Sequence, residues 1–330
     1  MLTDPLIATR AIHFAAAVMV AGIAFFEWLV AMPAFQATHT LPLTMVTRFR
    51  TRMAYMLWAS LAVAIISGSA WLLLLAGRIA DRSVSEVVAD GTAWVVLTQT
   101  RFGLDWQLRL LVAVLLAGYP VLFRLKRAPL SNGYGFAHVL LAAAFLGALA
   151  WAGHGGATPG TEGSVHVSAD VVHLIAVGAW LGGLIPLVLL LERLRRSTEE
   201  GLALTTCEVT RRFSNLGIIA VGAILISGII NAWFLVGSVS GLIETGYGRL
   251  LLLKIALFGA MVCLAAVNRL RLLPRLSSWA GGRTGSLDAH TVRTLQRNTI
   301  FEILLGLGVI IIVGALGVTP PASEFHSHIH

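Results

Sequence analysis

The sequence predicts an all-α protein that crosses a lipid bilayer eight times, and three observations carry that prediction. Of 330 residues, 57% are hydrophobic and only 12% charged, against roughly 25% charged in a soluble domain, and the mean hydropathy is +0.83. The apolar residues gather into eight runs, each close to the ~20 residues a helix needs to cross the hydrocarbon. The basic residues gather into alternate connections between those runs.

The first run, 7–32, lacks the basic start and small-residue cleavage site of a signal peptide and is expected to remain as a span. Runs 53–77, 107–123 and 135–152 complete a first four-helix unit over 1–152. Runs 169–191, 214–236, 250–267 and 299–318 form a second over 153–320, and 321–330 is a flexible His-containing tail. The longest connections, 78–106 and 268–298, fall short of the roughly 50 residues of an independent domain, so no catalytic domain and no enzyme is expected. Two isolated cysteines, Cys207 and Cys263, give neither a disulfide framework nor a Cys-rich zinc module.

Charge sets the orientation. The connections 1–2, 3–4, 5–6 and 7–8 hold 17 of the 24 Lys and Arg residues against five acids. The positive-inside rule makes that side cytoplasmic and sends both termini outward. The net charge of +8 is then a topology signal with a possible contribution from anionic lipid, and nucleic-acid binding is not expected.

The chain also repeats itself. His13 in RAIHFAAAVMVAGI matches His173 in DVVHLIAVGAWLGGL, and the Ser67-Gly68 and Ser227-Gly228 pairs each follow their histidine by 54 residues. Trp71 is aligned with Trp233, Thr100 with Thr245, Gly103 with Gly248 and Arg109 with Lys254. Four spans per unit is an even number, so the two units insert in the same sense as a tandem parallel repeat about an axis along the membrane normal. His13 and His173 are expected to face each other across that axis, and the Ser-Gly pairs are expected to serve close helix packing.

The histidines suggest metal. Seven of ten fall on the outward side, and imidazole is the commonest metal-ligating side chain. His166, Asp170 and His173 are spaced i, i+4, i+7 and share one helix face, and His154 in GHGG can fold back towards them. With His13 they form the candidate metal site; the tail residues His326, His328 and His330 are a possible collecting arm. A path inward is suggested by Glu27, which lies within about 40° of His13 and about 21 Å along the same helix. It is extended by Met53 and Met56, whose thioethers suit Cu(I), and by Glu302, repeat-matched to His138. Arg109 and Lys254 are paired intramembrane cations, with Asp105, Asp170 and Glu244 as candidate partners. The rival reading takes the same histidines as axial ligands of a b-type haem in a membrane cytochrome.

Taken in order, WAGHGG, HVSADVVHLIAVGAWLGGLIPL, RRFSNLGIIAVGAILISGIINAW, ETGYGRLLLLK, AAVNRLRLLP and GVTPPA resemble the CopD family of copper-resistance inner-membrane proteins. The resemblance implies an eight-helix bacterial inner-membrane protein that handles copper and carries it inward, beside or fused to a periplasmic CopC-like copper carrier, which for this chain is expected to be a separate partner. It also marks His154, Asp170 and His173 as outer-site residues, and Trp180, Asn231, Tyr247, Lys254 and Asn268 as pattern residues without an assigned role.

Overall fold

The computed structural model describes residues 4–125, 132–153, 160–196, 200–280 and 289–323. Among them eight helices are long and apolar enough to cross a membrane: α1 (Pro5–Thr38), α2 (Leu43–Ala80), α3 (Arg101–Val121), α4 (Gly135–Ala152), α5 (Gly160–Arg195), α6 (Gly201–Val236), α7 (Gly246–Ser278) and α8 (His290–Leu316). No strand occurs among the described residues. Several helices outrun the apolar runs that announce them. The second starts at Leu43 rather than 53, and the seventh continues to Ser278 rather than 267. Hydropathy reads only the hydrocarbon slab, whereas the helical backbone continues into the interface, where arginines keep their charged heads wet.

Helices α1 and α5 form the centre, with 78% and 72% of their most apolar windows buried, against 6% for α7. Each packs on the second and fourth helices of its own half and on the fourth helix of the other half. They meet at Gly22 and Gly182, each nine residues beyond its histidine. A β-carbon on Gly22 would fall 2.1 Å from the Gly182 backbone, so only glycine allows this approach. Two helices enter the membrane through the same cap. The Thr100 hydroxyl accepts from the Gly103 N–H at 3.0 Å ahead of α3, and the Thr245 hydroxyl accepts from the Gly248 N–H at 2.9 Å ahead of α7, each filling a donor that the helix start leaves open.

Two π-helical turns interrupt the spans, at Phe26–Ala31 in α1 and Asn268–Leu272 in α7. Each is followed by a proline, Pro33 or Pro274. Proline has no N–H to give and crowds the carbonyl four residues back, so the preceding turn widens. Glu27 and Asn268 sit in these widened turns.

Candidate functional site

In the first half, His13 is fully enclosed. Its Nδ1 lies 2.9 Å from the Ala64 carbonyl and 3.2 Å from Ser67 Oγ. A carbonyl only accepts, so Nδ1 carries the proton; Ser67 has committed its own proton to the Val63 carbonyl at 2.6 Å and also accepts. Nε2 is thereby left as a bare lone pair, buried and without a hydrogen-bond partner. Trp71 and Trp106 wall the ring edge-on, both at 5.7 Å between centroids. A β-carbon on Gly68 would strike Trp106 at 2.2 Å. Arg10 stacks over Trp71 at 4.4 Å, and the buried Arg109 stacks over Trp106 and Phe145.

The second half repeats the hydrogen bonds without the walls. Ser227 donates to the Ala223 carbonyl at 2.5 Å and therefore accepts from His173 Nδ1 at 3.0 Å. The tautomer is the same, with Nε2 unprotonated, which is the form that binds a metal, and the bond on Nδ1 is the outer-shell contact that orients such ligands. Here the ring lines an open cavity of about 260 Å³, together with Trp180, Lys254 and Met261. The aligned partner of Trp71 is also different from expectation. Trp233 is 74% exposed on the outside of the bundle, and the residue standing 58 positions after His173, as Trp71 stands after His13, is Asn231. Asn231 donates to Asp170 Oδ1 at 3.2 Å. An arginine on a tryptophan in one half is thus a carboxylate on a carboxamide in the other.

His166, Asp170 and His173 do share a face, and the face is zipped to α6. His166 stacks on Phe234 at 5.0 Å, Asp170 takes Asn231, and His173 takes Ser227. The three do not converge on a point, because seven residues of α-helix separate His166 from His173 by about 10 Å. His13 turns to α2 and His173 to α6, so the two do not meet across the axis. Among the described residues no group of three or more His, Cys, Asp or Glu side chains is placed to hold a metal ion. His154 and the tail histidines His326, His328 and His330 lie outside the described residues. Asp105 acts electrostatically on Arg109, and Asp170 on Lys254.

Nearer the other end of the bundle, Glu27 is held by Arg50 Nε at 2.9 Å, so the polar stripe expected from His13 ends in an ion pair. The Trp28 indole donates to His138 Nδ1 at 2.9 Å; an indole only donates, so this histidine has the opposite tautomer, with its proton on Nε2. Tyr119 stacks on the ring at 4.4 Å. These groups line a cavity of about 470 Å³ that Met53 also borders; Met53 is otherwise core, and Met56 packs against the core. In the second half Glu302 accepts from Asn268 Nδ2 at 2.7 Å, and Asn268 accepts from Asn298 at 2.9 Å. Asn268 and Glu302 border a cavity of about 270 Å³.

Two family models match this chain. One, copper resistance protein D, covers residues 207–316, and the other, the N-terminal domain of copper resistance protein D-like proteins, covers residues 1–164. The relative named copper resistance protein D in Pseudomonas syringae pv. tomato is 31% identical, over 76% of this chain and 83% of that protein. This chain belongs to the copper resistance protein D family. Inner membrane protein YebZ of Escherichia coli (strain K12) is 30% identical over 84% of this chain and 87% of its own length. Copper transport protein CutJ of Bacillus subtilis (strain 168) is 36% identical over 52% of this chain, which is 31% of that longer protein. No solved structure matches it.

Within this copper resistance protein D fold, three features escaped the sequence reading. The Ser-Gly pairs do more than allow packing, since the serines fix imidazole tautomers. Met261, passed over in favour of Met53 and Met56, is the methionine that shares a cavity with His173. Asn298 completes the Asn268–Glu302 network. The first left a trace in the matched 54-residue His–Ser spacing, and the last as a polar residue four positions before Glu302 at the start of an apolar span.

Proposed function

We propose that this chain is a copper carrier of the bacterial inner membrane, not an enzyme, and that it accepts copper on the periplasmic face at His173 and passes it towards the cytoplasm. The observation that carries the reading is the His173 geometry: a buried hydrogen bond leaves Nε2 as a lone pair on a ring that borders an open cavity, and the Met261 thioether lines the same cavity deeper in. Imidazole and thioether are ligands that favour copper over harder cations. His166 and Asp170 extend the same face outward and, with His154, serve as approach residues rather than one closed coordination shell. His13 keeps the equivalent hydrogen bonds for structure. A separate CopC-like periplasmic carrier is the expected donor, and copper in either oxidation state is cargo.

The tandem parallel repeat, with outward termini, gives this scheme its frame. The matched His–Ser bonds, the matched threonine caps and the Gly22–Gly182 contact support it. The haem alternative gains nothing from the geometry, because His13 and His173 bond into different helices. The experiment is metal analysis of detergent-purified protein after a mild chelator wash, followed by copper uptake into sealed vesicles. About one retained copper per chain, lost in His173→Ala, is expected. Near-stoichiometric iron without copper would turn the assignment to a cytochrome, and copper retention unchanged in His173→Ala would remove His173 from the site.

A further inference from the structure

We propose that the copper route lies wholly within the second half of the chain, as two stations stacked between α5, α6, α7 and α8 and divided by the Trp180 indole, with Glu302 as the ligand of the inner station. This rests on the copper-transport reading above and departs from the path through Glu27, Met53 and Met56 that the sequence suggests.

The two second-half cavities are ordered alike along all four helices. On α5 the outer cavity ends at Leu181 and the inner one resumes at Leu184; on α6 the change falls between Ile224 and Val221. On α7 it falls between Met261 and Val262, and on α8 between Gly306 and Glu302. One boundary therefore cuts the whole four-helix cluster at a single level, and Trp180 lines the space on both sides of it. The indole is held edge-on by Phe258 at 5.9 Å. Across from it stands Gly217, where an added β-carbon would sit in contact with the ring, 3.8 Å from Trp180 Cδ1.

The stations differ in chemistry in the order that inward release requires. The outer one offers the His173 imidazole and the Met261 thioether. The inner one offers the Glu302 carboxylate, buried and held by Asn268, and among the described residues no Lys or Arg pairs with it. Arg269 borders the same cavity but donates to Ser214 at 2.7 Å and Asn215 at 3.0 Å. An intramembrane carboxylate without a cation is expensive and marks an ion or proton site. Oxygen ligands hold copper less well than imidazole and thioether, so affinity falls inward and the ion can leave. Among the described residues of the first half no such ladder occurs. Two indoles close its outer site, and its inner carboxylate, Glu27, is already paired with Arg50.

The test separates the route from the cargo. In a chain carrying Cys207→Ser and Cys263→Ser, a single cysteine is placed at Val177→Cys in the outer cavity or at Thr210→Cys in the inner one. Each is treated, without copper, with a membrane-impermeant methanethiosulfonate from either face of oriented vesicles. Val177→Cys is expected to react only from the face bearing the N-terminus and Thr210→Cys only from the opposite face. Adding Trp180→Ala is expected to make both react from both faces, while Trp180→Phe keeps them separate. Reaction of both sites from one face in the parent, or no new labelling in Trp180→Ala, overturns the partition.

Copper uptake by the parent chain judges the transport reading independently, since the labelling needs no metal. Should Trp180→Ala fail to fold, Glu302→Gln decides: it is expected to retain outer copper and lose uptake about tenfold or more. Unchanged uptake in Glu302→Gln overturns the inner station.

Discussion

His13 and His173 make the same bond to the same partner type at the same spacing, yet one is sealed and the other opens on a cavity. Three of the differences around them point the same way. Where the first half has Arg10 on Trp71, the second has Asp170 on Asn231. Where the first has Arg109, the second has Lys254. An arginine stays charged under any protein condition, whereas a buried lysine can shed its proton or swing its flexible stem aside. Where Glu27 is neutralised by Arg50, Glu302 is left to a carboxamide. On the proposed function, the half that holds His13 serves as an arginine-rich support and the half that holds His173 accepts the cation. The largest expected effect tests this division directly. His173→Ala should abolish copper retention, while His13→Ala should keep it and lower thermal stability, with elemental analysis and a melting curve as the two readouts. Equal copper loss in both variants would show that the two rings share one ion.

The next effect separates the serines. Ser227→Ala removes the hydroxyl that, with the Ile224 carbonyl, holds the His173 proton on Nδ1, and loss of such an outer-shell partner weakens metal binding by about 10–100-fold. Ser67→Ala removes the matching bond where no metal is expected. It should leave copper affinity alone and cost about 0.5–1.5 kcal/mol of stability, one hydrogen bond, because His13 Nδ1 keeps the Ala64 carbonyl. Competition with a chelator of known copper affinity, set beside thermal unfolding, reads both. A weakened affinity in Ser67→Ala would bring His13 back as a ligand.

Lys254→Arg should have a smaller effect, about tenfold weaker copper binding, because a permanent charge then stays in the open cavity. The reverse change, Arg109→Lys, should leave copper binding unaltered, since the indoles still close that site. Neither change touches the His–Ser bonds, so a loss in Arg109→Lys would mean that both halves admit the ion.

Much of this was legible before any coordinates. Eight spans follow from hydropathy, and the matched His and Ser-Gly spacing points to the two His–Ser bonds. The i, i+4, i+7 face of His166, Asp170 and His173 is real. What sequence could not supply was which way each matched residue is used. Composition at a pair such as Trp71 and Asn231 shows a gap in the alignment, and the nearer tryptophan, Trp233, is the tempting match; only packing shows that Trp233 faces outward. A serine in an apolar helix reads as a small packing residue until its proton is traced to the carbonyl one turn back. Met53, Met56 and Met261 are equivalent in sequence, and a cavity is needed to tell them apart. The prolines were a usable signal that went unread, since a polar residue six positions before an intramembrane proline marks both Glu27 and Asn268.

The smallest effect lies outside the spans, where the outer connections of the halves also differ. In the first, Ser83 and Glu86 form a reciprocal capping box ahead of the helix Val84–Ala89. The bonds from Ser83 hold the Glu86 carboxyl below its usual range, and those from Thr92 do the same for Asp90. A carboxyl whose pKa is depressed by folding stabilises the fold fully above its unfolded value and loses that contribution as pH falls through the depressed value. In the second half, Ser238 caps the helix Val239–Glu244 through the Gly241 N–H, with no carboxylate in the cap. Amide hydrogen exchange, corrected for its intrinsic pH dependence, should therefore show protection of residues 84–89 falling as the pH is taken below the carboxylate range, while 239–244 stays level. Ser83→Ala should remove the pH dependence together with the protection. A parallel fall in both segments would mean that acid loosens the outer face as a whole and that the cap has no separate part in it.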